Sequence, residues 1–134
     1  MHQRIEIIGD LGRDPEMRYT PKGQAVTNFS VATSHTYIKN DERITETTWF
    51  RIQTWGKQAE ACNQYLQKGS RVFVEGRLVV DPQTGNPKVF EKKDKTWDAT
   101  LEIKASLVRF LDKKGESRGE ARTEEEDLPD YMQD

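Results

Sequence analysis

The sequence predicts an all-β chain. Five strands close into a barrel, one helix lies between the third and fourth, and an acidic tail stays outside. Three observations lead there. Five segments carry alternating or β-branched apolar residues, one segment switches to helical spacing, and apolar residues nearly vanish after Leu111. The 134 residues suffice for one domain with some left over. The folded domain is expected over residues 1–111. Residues 112–134 carry too little apolar surface to fold alone and are expected to be a disordered tail.

Residues 4–9 (R-I-E-I-I-G) read as the first strand, ending at a glycine. Turn points follow around Gly12 and at Asp14 before Pro15, and Pro21-Lys22-Gly23 is a hairpin-type signal. Residues 24–33 form the second strand, with Ala25, Phe29 and Val31 on one face and Asn28 and Ser30 opposite. Residues 35–47 are polar and charged, and are expected to be an exposed loop carrying Tyr37, Lys39 and Arg43. Residues 48–55 are the third strand.

Ala59, Cys62 and Leu66 then recur at helical spacing within residues 57–67, and Lys68 followed by Gly69 reads as the helix stop. Residues 71–80 are the fourth strand, with Val72, Val74 and Leu78 inward and Phe73 among charges on the other side. Residues 81–98 make a long Lys-rich excursion that opens on a Pro-Gln-Thr-Gly turn and carries Phe90 and Trp97. Residues 99–111 are the last strand, with Leu101, Ile103, Ala105 and Leu107 alternating.

The third strand carries the chemistry. A period of two puts Phe50, Ile52 and Thr54 on a core face and Trp49, Arg51, Gln53 and Trp55 on the other. Flat π-faces interleaved with positive charge and amide are suited to stacking on unpaired bases beside a phosphate backbone. The plainer alternative is a strand covered on both sides, with the indoles under another sheet or a subunit.

Charge agrees with the first reading once the chain is divided. The formal net charge is −2, but residues 1–111 hold 17 Lys/Arg against 14 Asp/Glu, and residues 112–134 hold 4 against 9. The acidity therefore belongs to the tail, and the body is mildly basic.

The remaining composition excludes several classes. Cys62 is the lone cysteine, so no intrachain disulfide can form and a reducing compartment is expected. No apolar run approaches the ~20 residues of a membrane span, and no targeting segment is expected. His2 and His35 stand far from any partner motif, the carboxylates are scattered, and Gly56-Lys57 lacks the rest of a P-loop. The chain is expected to be no enzyme and to need neither cofactor nor metal.

Three strands, one helix and two strands suggest an OB-fold, a Greek-key barrel whose strand 2–3 face and whose loops after strands 1 and 4 bind oligonucleotides or sugars. The Trp strand and the Lys/aromatic excursion both fall at such places.

Several words also resemble one family in order and spacing. They are Ile8-Gly9-Asp10-Leu11-Gly12-Arg13-Asp14-Pro15, Asn28-Phe29-Ser30-Val31-Ala32-Thr33-Ser34, Trp55-Gly56-Lys57-Gln58-Ala59-Glu60, Tyr65-Leu66-Gln67-Lys68-Gly69-Ser70 and Val74-Glu75-Gly76-Arg77-Leu78. Over roughly residues 3–111 the chain resembles the bacterial-type single-stranded DNA-binding proteins.

The resemblance implies a homotetramer that wraps single-stranded DNA in replication, recombination and repair, in the bacterial cytoplasm and its nucleoid. It implies stacking aromatics at Tyr37, Trp49 and Trp55 and phosphate contacts at Arg51, Lys57 and Lys68. It also implies a tail tip that docks on replication and repair enzymes, here Asp127, Leu128, Pro129 and Tyr131.

Two departures stand out. Many relatives carry a stacking Trp soon after the strand 4 glycine, where this chain has Val79-Val80-Asp81-Pro82. Phe90 and Trp97 are candidates to stack in its place, or to pin the long loop to the barrel. The typical tail ends in Pro-Phe, whereas here Tyr131 is followed by Met132-Gln133-Asp134. Three rivals remain at this level: a dimeric replication-restart OB-fold, a small nuclease on the same fold, and a scaffold whose Trp face meets subunits.

Overall fold

Alternating strands bury one face by curling on themselves, and the single helical segment buries Ala59 and Cys62 against them. The structure is a computed structural model and describes residues 1–112. Its elements are β1 Ile5–Leu11, β2 Glu16–Tyr19, β3 Ala25–Lys39, β4 Glu42–Trp55, α1 Gly56–Tyr65, β5 Arg71–Val79, β6 Val89–Glu91, β7 Trp97–Ala99 and β8 Leu101–Phe110.

Five strands close in the order β1-β5-β8-β4-β3, and β1 returns to β3 through Asp10↔Ala32 and Leu11↔Val31. The β4–β8 pair is parallel and the rest are antiparallel. This is the OB-fold expected from the element order. The closure depends on Gly9, since a Cβ there would lie 2.2 Å from the Ala32 carbonyl oxygen.

The core is built from Ile7, Leu11, Phe29, Val31, Ile52, Cys62, Leu66, Val72, Val74 and Ile103. The helix is tied to the sheet by buried hydroxyls. Thr27 Oγ1 donates to the Ala59 carbonyl at 2.7 Å, and Thr54 Oγ1 donates to the Thr27 carbonyl at 2.9 Å. Buried hydroxyls are costly unless paired, so these bonds fix where α1 lies.

Four expectations are corrected. Residues 35–47 are not a loop: β3 and β4 continue as one hairpin arm in unbroken register from Val26↔Trp55 to Lys39↔Glu42. The turn is Asn40-Asp41, both with positive φ (52° and 63°). Asn and Asp tolerate that region, and such two-residue turns match the strand twist. Polarity marked the segment as solvated, which is correct for an arm reaching into solvent but does not distinguish strand from loop. The helix ends at Tyr65, with Leu66 N–H donating to Cys62 O, so Lys68 lies beyond its last turn.

The excursion contains a small hairpin of its own, β6 with β7. In β8, Leu101 is exposed and Ala105 and Leu107 are only half-buried. A bulge opposite Glu75 and Gly76 interrupts the alternation. Residues 113–134, and with them Asp127, Leu128, Pro129 and Tyr131, lie outside the described residues. Among the described residues no helix is long and apolar enough to cross a membrane.

Burial pushes the Cys62 thiol up to about 11 from 9.0, against a smaller opposing effect of its hydrogen bond with Thr54. The folded protein therefore holds this proton more tightly than the unfolded chain. The corresponding stability is complete below pH ~9 and is lost as pH rises toward ~11. Native protein at pH 8 is expected to resist iodoacetamide, with labelling appearing only in urea. Fast labelling of native protein would contradict the burial of Cys62.

Candidate nucleic-acid interface

Alternation along β4 places Trp49, Arg51, Gln53 and Trp55 on the outer face, while Ile52 and Thr54 are fully buried behind them. The neighbouring strand leaves the row open. Trp49 and Arg51 lie opposite the small residues Ala32 and Ser30 on β3. Trp49 keeps 53% of its surface exposed, so an indole face is available to a ligand. Its ring rests on Gly12, where a Cβ would come within 2.5 Å of Cζ3. Trp55 is half-buried, and its Nε1 donates to Gln53 Oε1 at 3.1 Å. That bond fixes the ring edge, and the Lys104 ammonium lies 5.5 Å from the ring centroid, within cation–π range.

At the β1–β2 link Arg13 and Arg51 share a depression with the carboxylates Asp14 and Glu16, and with Asn28 and Ser30. Lys68 joins the same link, its backbone N–H donating to Asp14 Oδ1 at 2.7 Å and its side chain exposed. Lys57, one residue into α1, is exposed two positions after Trp55. Trp49, Arg51, Gln53 and Trp55 thus share one outer strand face, with Trp49 and Trp55 six residues or about 20 Å apart at ~3.4 Å per residue. Lys68 joins the end nearer Trp49 through its backbone bond to Asp14, and Lys57 follows Trp55 in sequence.

Tyr37 stands apart. It pairs with Ile44 near the arm's tip, five register steps from the Ala32↔Trp49 pair. That is about 17 Å at ~3.4 Å per residue. An odd number of steps also puts it on the opposite pleat face from Trp49. Its hydroxyl donates to Glu46 Oε1 at 2.9 Å, and its ring stacks on His35 at 5.8 Å between centroids. The Glu46 hydrogen bond is the main reason its phenol pKa is raised.

Phe90 and Trp97 are also separated. Phe90 pairs with Asp98 and Trp97 with Glu91, so the two rings occupy opposite faces of the β6–β7 hairpin. They are 43% and 67% exposed. The loop is less basic than its composition suggests. Lys92 pairs with Asp98 at 3.4 Å and Lys95 with Glu91 at 3.7 Å.

Sequence reasoning missed Gly12, Arg13 and Lys104. Gly12 looked like a turn, and nothing local shows that an indole lies on it. Among the described residues, no group of three or more His, Cys, Asp or Glu could hold a metal ion. The arrangement offers planar stacking surfaces, amide hydrogen bonds and flanking cations.

Comparison with known proteins points the same way. The model of the single-strand binding protein family matches residues 2–111. A protein of Neisseria meningitidis serogroup B named single-stranded DNA-binding protein is 40% identical over 123 residues, which is 91% of this chain and 67% of that protein. One of Chlorobaculum tepidum, named single-stranded DNA-binding protein 1, is 46% identical over 90 residues, 63% of this chain and 56% of its own. One of Wolinella succinogenes, again named single-stranded DNA-binding protein, is 34% identical over 120 residues, 89% and 70% respectively.

Proposed function

Because the chain belongs to the single-strand binding protein family, we propose that it coats single-stranded DNA largely without sequence preference, serving replication, recombination and repair. The observation that carries this is the outer row of β4, where two indoles flank Arg51 and Gln53 on an open strand face. Every base has a π-face, so stacking on Trp49 and Trp55 is indifferent to sequence. Arg51, Lys57 and Lys68 hold phosphates beside the stacked bases. Binding unpaired strand and not duplex shifts melting equilibria toward open DNA by mass action, without catalysis. Tyr37, Phe90 and Trp97 engage more distant parts of a wrapped strand, from the arm and from the β6–β7 hairpin.

In this reading residues 1–111 are the binding domain, four copies assemble, and the tip at Asp127, Leu128, Pro129 and Tyr131 docks on replication and repair enzymes. Assembly is supported by a depression where Ile8, Phe50 and Phe73 lie among Glu6, Thr33, His35 and Thr48, with Ile8 50% exposed. Static light scattering reading one chain's mass would rule out the tetramer.

Titrating the protein with oligo(dT) while following Trp fluorescence tests the core of the reading. Deep, saturable quenching is expected, with log affinity falling linearly as log salt rises, by ~0.7 for each phosphate contact. Unquenched fluorescence at low salt would mean that the indoles meet something other than bases.

A further inference from the structure

The outer face of the barrel continues past Trp55 in a way that folding alone does not explain. Lys104 on β8 lies directly opposite Arg77 on antiparallel β5, and Gln53 flanks Lys104 on parallel β4. The row Gln53, Lys104, Arg77 therefore crosses three strands on the face that carries Trp55. Both cations are exposed. Like charges directly opposite on a sheet repel each other. Among the described residues neither forms an ion pair, and Glu102, one row away opposite Arg51, bridges neither. A stretch that breaks a local rule without compensation is where a function is expected.

Two further features indicate what compensates the repulsion. The Lys104 ammonium lies 5.5 Å from the Trp55 ring centroid, at the edge of a stacking surface. An open groove of about 840 Å³ runs alongside, lined by His2, Gln53, Arg77, Val79 and Lys104. A chain with regularly spaced anions leaving Trp55 in this direction meets both cations and has room to lie down.

We propose that Lys104 and Arg77 form an additional phosphate-binding step that carries single-stranded DNA from Trp55 across β8 and β5. This rests on the single-stranded DNA reading above. The bound backbone supplies the negative charge that the sheet lacks, so the repulsion is relieved only in the complex.

The test uses the full chain and its R77Q/K104Q variant, with binding of labelled oligo(dT) followed by anisotropy across salt. Losing two single-strand phosphate contacts is expected to flatten the log–log salt slope by about 1.4. The affinity advantage of the parent chain then shrinks about sevenfold between ~50 and ~200 mM salt. K22Q, in the β2–β3 turn, is expected to keep the parent slope. Urea unfolding of R77Q/K104Q is expected to show a stability equal to or above the parent's. A parent-like slope in R77Q/K104Q, or a loss of stability, would overturn the proposal while leaving DNA binding intact. Failure of the parent chain to bind oligo(dT) at low salt would instead remove the reading on which it rests.

Discussion

Replacing both Trp49 and Trp55 with alanine is expected to weaken oligo(dT) binding by about 2–6 kcal/mol. Each stacked base contributes ~1–3 kcal/mol, and the two rings stand on one strand face about 20 Å apart at ~3.4 Å per residue, so they stack on separate bases of one strand. At 1.4 kcal/mol per tenfold, the loss in affinity is between about thirtyfold and twenty-thousandfold. The salt slope is expected to stay near the parent value, because indoles carry no charge and Arg51, Lys57 and Lys68 remain. That pattern separates stacking from phosphate contact: W49A/W55A lowers affinity at every salt concentration, whereas R51Q flattens the slope. Trp→Phe changes are expected to recover part of the loss, since a phenyl ring still stacks. Parent-like affinity in W49A/W55A would show that the outer β4 row does not hold the bases. Trp49 is more than half exposed and Trp55 only half-buried, so secondary structure should survive and circular dichroism provides the check.

Ile52→Ala is expected to have the opposite profile. Ile52 lies between Arg51 and Gln53 in sequence but is 0% exposed, packed within the core cluster. Truncating a fully buried isoleucine costs ~2–5 kcal/mol, the lost transfer energy plus the cavity left behind. Urea unfolding should record that loss in midpoint with little change in m-value. DNA affinity of the fraction that remains folded should stay within about twofold of the parent. An exposed Ile52 would give a change below ~0.5 kcal/mol, the usual range for surface positions. Neighbouring residues on one strand thus divide cleanly into binding and stability, because successive side chains point to opposite sides of the sheet.

Much of this was legible in the chain itself. The period-two pattern from Thr48 to Trp55 separated the indoles and Arg51 from Ile52 and Thr54, and burial follows that division. Phe50 departs from it in part, being half-buried and lining a depression shared with Ile8 and Phe73. The spacing of Ala59, Cys62 and Leu66 located the helix, and element order indicated the barrel. These features depend on local periodicity, which a sequence carries directly.

Other features depend on contacts between distant residues. Residues 35–47 read as a loop because their polarity reports solvent exposure, and an extended hairpin arm is solvent-exposed too. Tyr37 was grouped with Trp49 by the resemblance, yet one register fixes it on the other pleat face. Phe90 and Trp97 were grouped by nearness in sequence, and strand pairing placed them on opposite sides.

By itself, then, the sequence determined which β4 residues face the core, which strand presents aromatic and basic side chains, and the family the chain belongs to. Only the tertiary structure decided that Trp49 lies on Gly12, that Lys68 joins the link carrying Arg13, and that Lys104 stands between Trp55 and Arg77. The physical reason is that periodicity is a property of neighbouring residues. Barrel closure and the β4–β8–β5 row are set by pairings between strands tens of residues apart, which a local pattern does not encode.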